Sequence, residues 1–471
     1  MSDAESDASH VITAFLRNRG EVLLLRRSDA VGTYAGQWGA VSGFAEGQPD
    51  DQARIEIREE TGLADDDVSL VRSGRPIEFA DPDLGREWVV HPYLFDCETR
   101  EIDLSEEHDA FEWVAPTETL DAVGEDRETV PELWTAYERV APTVRSIAAD
   151  DEHGAAYLSV RALEVVRDRA GLLVAEREEF GPDPDGERDE LAELAGRLLE
   201  ARPSMAVLRN RVNRALAEAV ADVEPDRDAA DGDAAGDQAD TETSAPAVLE
   251  STRSNIERAL AADEDAATAA ADRIEGSIAT LSRSDTVLDA LRAGEPSRIF
   301  VAESRPAREG IGVAERLADA TDAAVAVHTD AAVAHVLARE DVDRVVVGAD
   351  TVLPDGSVVN KTGTRGLAVA AAREGIPVSV VAATDKVSTR EDVNLESGDR
   401  TAVYDGDAPL DVLNPTFDVT PTDCVTEIVT ERGALDPAEI EGIADELRAL
   451  EEWRDGGPTV REATDRNPSR E

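Results

Sequence analysis

Apolar and polar positions follow different rhythms in successive parts of the chain. Between residue 10 and about 120, short apolar runs alternate with turn residues. VITAFLR (11–17) and EVLLLRR (21–27) flank Asn18-Arg19-Gly20, the spacing of a β-hairpin. EWVVHPYLFDC (87–97) and FEWVA (111–115) read as further strands. One helix is expected over about Asp50–Thr61, closed by Gly62. From 128 to 222 the apolar period is helical. It runs through PELWTAYERVAPTVRSIAA, AAYLSVRALEVVRDRAGLLV, a helix around 188–200, and RPSMAVLRNRVNRALAEAV. Residues 223–247 are rich in Asp, Ala and Gly and have no period, which predicts a flexible linker or surface insertion. Helix resumes from 248 to about 275.

From about 296 the rhythm changes again. RIFVAES, AVAVHTD, RVVVGAD and VSVVAAT are short, nearly continuous apolar runs, separated by helical segments such as GVAERLADA and AAVAHVLAR. Strands buried on both faces and alternating with helices predict a doubly wound parallel sheet. Ligands of such sheets sit beyond the carboxyl ends of the strands, where Glu303, Asp330 and Asp350 fall.

Composition narrows this picture. The 471 residues exceed one core, and 41% are hydrophobic but only 4% aromatic, so the cores are built from small aliphatic side chains. The formal charge of -56 is spread along the chain rather than gathered in a tail. That suits a surface kept hydrated in concentrated salt, where charges are screened within roughly 3 Å at 1 M. It argues against direct nucleic-acid binding, which needs a basic footprint. Of 47 basic residues only Lys361 and Lys386 are lysine, which marks both as places for a compact ammonium. Two cysteines, Cys97 and Cys424, give neither metal spacing nor a disulfide framework. The acidic start and the absence of any long apolar run lead to the expectation of a cytoplasmic protein with no membrane partner.

Candidate chemistry lies in two places. In the first half, Glu56, Glu59 and Glu60 share one helix face at i, i+3 and i+4, after the loop Ser42-Gly43-Phe44-Ala45-Glu46-Gly47-Gln48. Clustered carboxylates are either a solvated acidic face or a site for magnesium or manganese. The segment through Glu59-Glu60-Thr61-Gly62-Leu63 resembles the Nudix box, over roughly residues 9–120. The resemblance implies metal ligands at Glu59 and Glu60, with Glu56 as ligand or base, and hydrolysis of a nucleoside diphosphate derivative. Three features depart from the pattern: the loop is one residue short, Gln48 stands where a glutamate belongs, and Ile55 stands where an arginine normally pairs with the carboxylates.

In the second half, Val345–Asp350, a turn at Asp355-Gly356, and Asn360-Lys361-Thr362-Gly363-Thr364 set an acid beside a lysine and a helix start, a pattern that suits an anion. A structural turn with a capping aspartate reads the same residues more plainly. The stretch VVVGADTVLPDGSVVNKTGT resembles the signature shared by the initiation factor 2B alpha, beta and delta subunits, ribose-1,5-bisphosphate isomerase and methylthioribose-1-phosphate isomerase. Glu303-Ser304-Arg305-Pro306, Asn414-Pro415 and Phe417–Pro421 agree with it, and the resemblance covers about 130–455. It implies a phosphate site drawn from Arg202, Arg305, Lys361 and Lys386, with Asn360 preserved beside them, and a catalytic pair of a cysteine with Asp350; Arg283 adds a further positive group. Ser282 stands in the cysteine's place, in a loop expected to follow a helix. A hydroxyl is a far weaker acid than a thiol, so the change disfavours efficient isomerisation.

The expected architecture is therefore α/β and multidomain: a Nudix α/β/α sandwich with mixed sheet (1–125), a helical domain (126–275, with the insertion 223–247), a Rossmann-like parallel sheet (276–455) and a polar tail (456–471). The function expected first is a Nudix-type hydrolase or binding domain fused to a regulatory sugar-phosphate or nucleotide-binding domain. A sugar-phosphate isomerase using Asp350 and a translation-factor-like scaffold are the alternatives. The implied partners are a phosphorylated small molecule, magnesium or manganese, and further copies of the chain.

Overall fold

The computed structural model describes residues 8–45, 47–124, 127–221 and 244–454. Glu46, most of the expected insertion and the polar tail lie outside the described residues. By contacts the chain divides into two compact units. One runs to Pro203 and includes the stretch ending at Ala261; the other begins at Ser204 and includes everything from Ala262 onward.

Unit 1 opens with strands β1 (Ser9–Asn18), β2 (Glu21–Arg27), β3 (Trp38–Gly39) and β4 (Val41–Phe44), helix α1 (Pro49–Thr61), then β5 (Val68–Ser73), β6 (Ile77–Asp81), β7 (Arg86–Cys97) and β8 (His108–Val114). The β1–β2 hairpin turns where expected, with Asn18 opposite Glu21 and Gly20 at φ +81°. The eight strands form one mixed sheet, because β1 pairs parallel with β7 while its other pairings are antiparallel. α1 packs Ala53 and Ile57 on one face of that sheet. It ends at Gly62, whose left-handed φ of +74° lets its N–H reach the Arg58 carbonyl. The other face is covered by α2 (Leu133–Glu138), where Leu133, Ala136 and Tyr137 pack on Phe15 and Leu94. α3 (Val144–Ala149), α4 (Ala155–Phe180) and α5 (Pro184–Ala201) complete this unit together with the first part of α7 (Ala245–Ala271). The run 131–149 is two short helices rather than one, divided around Pro142, which cannot donate to a continuing helix.

Unit 2 contains α6 (Ala206–Ala221), the rest of α7, β9 (Glu275–Leu281), α8 (Asp285–Ala293), β10 (Glu295–Ala302), α9 (Glu309–Ala320), β11 (Ala324–His328), α10 (Val333–Arg339) and β12 (Arg344–Gly348). It continues through β13 (Thr351–Val352), β14 (Val358–Lys361), α11 (Thr364–Glu374), β15 (Val378–Val381), β16 (Phe417–Thr420), β17 (Glu427–Thr430), β18 (Gly433–Leu435) and α12 (Ile440–Ala449). The main sheet has the order β11-β10-β9-β12-β15-β17-β18, parallel except for the last pair. Strand β9 lies inside it, between β10 and β12. The chain winds outward from β9 through β10 to β11, then restarts at β12 and winds the other way. The direction reverses between β9 and β12, which is where such sheets open a crevice at their carboxyl ends. Val345, Val346 and Val347 are fully buried, with alternate side chains on opposite faces.

One expectation is corrected here. Ser282 does not sit in a loop after a helix. It immediately follows β9, because α7 stops at Ala271 and a turn through Ile274 starts a strand. Asn360 and Lys361 likewise end a short strand, and the helix begins only at Thr364.

Candidate functional site

In unit 1 the expected acidic cluster is a pair rather than a triad. Glu60 is 3% exposed and lies on the same side of α1 as Ala53 and Ile57; Glu59, one residue earlier, is turned to solvent. Glu60 Oε2 accepts from the Ser42 N–H at 3.2 Å, while Oε1 is buried with no hydrogen-bond partner. Burial pushes its carboxyl well above the usual range, and the nearby Glu56 adds to this. Glu56 accepts from Gln52 and lies directly on the Gly43 backbone, where even a Cβ would come within 2.0 Å of its oxygen. A larger residue at 43 would displace the Glu56 carboxylate from this position.

Two further residues join this pair that sequence reasoning missed. Arg27, from β2, donates to Ser42 Oγ at 3.1 Å and its charge lowers the Glu60 carboxyl. It supplies from a neighbouring strand the positive charge that Ile55 cannot. His108, at the start of β8, places Nε2 3.9 Å from Glu60 Oε2. The two are not an ion pair at neutral pH, because burial lowers the imidazole to about 4 while it raises Glu60. The strand expected over 111–115 begins earlier, at His108, and its start turns this imidazole inward.

The expected divalent cation is tested by these atoms. Among the described residues no three His, Cys, Asp or Glu side chains stand together to hold a metal ion. Yet magnesium commonly takes only one or two carboxylates, with water and phosphate supplying the rest. An orphan buried oxygen on Glu60 beside the Glu56 carboxylate fits that smaller demand. Glu59 does not take part in this arrangement.

In unit 2 the strand ends bring several predicted residues together. Ser282, after β9, is 7% exposed and held at a left-handed φ of +61°, its N–H donating to Ser304 Oγ at 2.6 Å. Ser304, after β10, is also left-handed, and the N–H groups of Ser304 and Arg305 both donate to Asp330. Non-glycine residues with positive φ are costly and cluster at sites. Asp350, after β12, is partly buried; desolvation pushes its carboxyl up, opposed by the charges of Lys386 and Lys361 and reinforced by Glu309 and Glu396. Lys386, after β15, is buried and donates to the Ala349 carbonyl at 2.8 Å.

A residue absent from the sequence reading sits at the centre of this group. Glu309, the first residue of α9, accepts from Ser282 Oγ at 2.7 Å through one oxygen and from Lys361 Nζ at 2.8 Å through the other. Nothing in its neighbourhood of sequence distinguishes it from the many other acids of the chain.

Other expected ligands are placed differently. The N–H groups at the start of α11, expected to hold an anion, are already taken: those of Gly363 and Arg365 donate to Asp418. Asn360 is buried and spends its amide on Thr364 Oγ1 at 3.0 Å. Arg202 belongs to unit 1, where its guanidinium donates to the Ile147 and Asp150 carbonyls. Arg283 and Arg305 have exposed side chains at the strand ends.

A sheet of six parallel strands and one antiparallel edge strand, with a Ser–Glu–Lys cluster and an aspartate at its carboxyl ends beside the reversal, is a doubly wound sheet. The sequence model of the Initiation factor 2 subunit family matches residues 151–437, more than half of the chain, and the chain belongs to that family. The NUDIX domain model matches residues 8–133. The ribose 1,5-bisphosphate isomerase of Haloferax volcanii is 33% identical over 343 residues, covering 68% of this chain and 98% of that one. The methylthioribose-1-phosphate isomerase of Pseudomonas putida strain GB-1 is 31% identical, covering 66% of this chain and 88% of its own. The structure of the Pyrococcus horikoshii translation initiation factor eIF-2B superposes with a TM-score of 0.49 at 26% identity, covering 62% of this chain and 95% of that one. Among the described residues no helix is long and apolar enough to cross a membrane.

Proposed function

We propose that unit 2 binds a phosphorylated sugar of the aldose 1-phosphate class, with Asp350 as its acid and Lys361 and Lys386 as its cations. The observation that carries this is the place of the chain's two lysines beside Asp350 at the sheet's reversal point: Lys386 donates to the Ala349 carbonyl, and Lys361 ends the strand whose Val359 carbonyl accepts the Asp350 N–H. Isomerases of such sugars are its relatives along nearly their whole length, which supports the ligand class. The Nudix part, in this reading, takes a nucleoside diphosphate derivative with magnesium or manganese at Glu56 and Glu60. The ion would neutralise the diphosphate and lower the pKa of water bound to it. The Ser42 N–H bonds Glu60 and the Gln52 amide bonds Glu56, with Arg27 held beside them on Ser42 Oγ.

Calorimetric titration of the full chain with ribose 1,5-bisphosphate tests the first part, with ribose and inorganic phosphate as controls. Lys361→Gln is expected to weaken binding about tenfold or more, as loss of a charged hydrogen bond implies. Equal affinity for the bisphosphate and for free phosphate, unchanged by that substitution, would remove the reading. Judged on Ser282 alone, a hydroxyl in the place of a thiol points to binding without turnover, as in a regulatory domain; the same titration combined with a turnover assay separates binding from isomerisation.

A further inference from the structure

Ser282, taken alone, makes this pocket look short of a base. The side chain bonded to it changes that. We infer that Glu309 is the catalytic base of the sugar-phosphate site, held in place by Ser282 and Lys361, so that the pocket isomerises its ligand with a carboxylate where a thiol would otherwise act. This deepens the proposal of an aldose 1-phosphate ligand and rests on it.

The placement begins with backbone. Gly310 lies so close to the Ala302 carbonyl that a Cβ would come within 2.0 Å of the oxygen. That contact seats the first turn of α9 directly on the end of β10. Arg308, left-handed at φ +60°, turns the chain into the helix and leaves Glu309 at its first position, over the strand ends. There the carboxylate meets Ser282 Oγ on one oxygen and Lys361 Nζ on the other, at 2.7 and 2.8 Å. Ser282 is itself fixed by its Ser304 hydrogen bond. Glu309 remains about a quarter exposed, so it can be reached by a ligand. A hydroxyl and an ammonium that both donate to it fix its orientation, and a serine with this geometry acts as a positioning residue.

Asp350 provides the opposite partner. Desolvation favours its protonated form, and Glu309 is among the charges acting on it. Two carboxyl groups near each other in unlike surroundings are the arrangement that divides acid and base roles. Lys361 acts on both.

The chemistry balances with these two groups alone. In a cyclic aldose 1-phosphate the bond from C1 to the ring oxygen breaks, and Asp350 gives that oxygen its proton. Glu309 takes the proton from C2, and the C–H electron pair becomes the C1–C2 double bond of an enol phosphate. The proton on Glu309 then goes to C1, while the C2 hydroxyl returns its proton to Asp350. The product is the 2-ketose 1-phosphate, and both carboxyl groups end as they began.

The experiment uses the full chain with ribose 1,5-bisphosphate, following ketose formation by NMR and binding by calorimetry. Glu309→Gln is expected to keep affinity within about threefold and lose turnover by roughly 100-fold or more, the usual contribution of a general base. Glu309→Asp, which keeps a carboxylate, is expected to recover part of that loss and guards against a glutamine variant that folds poorly. Ser282→Ala is expected to cost less than Glu309→Gln. Turnover by Glu309→Gln within a few-fold of the unaltered chain overturns the inference. So does an unaltered chain that binds the bisphosphate but does not convert it, an outcome that leaves the binding site standing. An unaltered chain that does not bind it at all overturns the ligand class, and the role of Glu309 with it.

Discussion

Glu60 is a carboxylate whose setting only the fold displays. Its spacing from Glu56 marked it as a candidate, but its burial and its orphan oxygen were visible only in the fold. A buried carboxylate with one oxygen unsatisfied costs stability unless a cation or a proton meets it. Glu60→Gln is therefore expected to raise the melting temperature of the metal-free protein. Magnesium should stabilise the unaltered chain by mass action and leave the variant nearly unmoved. A magnesium shift that survives Glu60→Gln would place the cation elsewhere. Glu59→Gln, on an exposed side chain, is expected to change neither reading. His108 gives a second, oppositely signed signal. Its folded pKa of about 4 lies below the unfolded value near 6.5, so the unfolded chain binds more protons between these limits. Stability from this group should thus fall as pH drops from about 6.5 to about 4. His108→Gln should flatten that slope in urea unfolding curves.

At the scale of elements, legibility followed burial. The strands β10, β12 and β15 are apolar on both faces and announce themselves as unbroken runs, which is why the parallel sheet could be read. β9 escaped although it lies inside the sheet, between β10 and β12. Its apolar stretch is short, and it follows an alanine-rich helix whose composition does not change sharply before the turn. The same gap hid the true setting of Ser282, and with it Glu309, which comes from another element and is joined to Ser282 only by the parallel register of β9 and β10. Similarly, the phosphate role expected for the start of α11 could not be weighed without Asp418, which arrives from β16 to cap it.

α6 shows how a helix distant in sequence fixes the site. Asn210 donates to the carbonyls of Asp385 and Val387 at 2.8 and 2.7 Å, on either side of Lys386. Arg211 and Arg214 hold the Asp385 carboxylate at 3.3 and 2.8 Å. Asn210→Ala would leave two buried carbonyls short of a donor, at a cost of about 1–3 kcal/mol. Because Lys386 is then free to shift from the Ala349 carbonyl, affinity for ribose 1,5-bisphosphate should fall even at temperatures where the variant is fully folded. A variant that is less stable but binds equally well would show that α6 supports the fold alone.

At the scale of the whole molecule, the Nudix sheet and the helices that follow it form one body, although the sequence divides them into different families. A buried ionic network makes the joint. Arg17, on β1, reaches Asp96 on β7 at 2.7 Å and Glu164 on α4 at 3.3 Å, and donates to Tyr157 at 2.7 Å. Arg161 bonds Glu164 at 2.9 Å, and Arg167 donates to the Gly20 carbonyl of the β1–β2 turn. Burial works against the charge on Arg17, and Glu164 and Asp96 more than restore it. Breaking such a network from one side leaves charges buried without a partner, which typically costs 3–5 kcal/mol. Arg17→Ala is therefore expected to lower the stability of unit 1 by roughly that much. Salt screens exposed charges and reaches buried pairs far less, so the loss should be similar in dilute and concentrated salt, unlike the contribution of the acidic surface. If the sheet and the α4 helix act as one body, probes in each, for example Trp113 fluorescence and hydrogen exchange along α4, should report a single coincident transition that moves together in the variant. Separate transitions, with only one displaced by Arg17→Ala, would mean that the two parts fold independently and that the network merely decorates their contact.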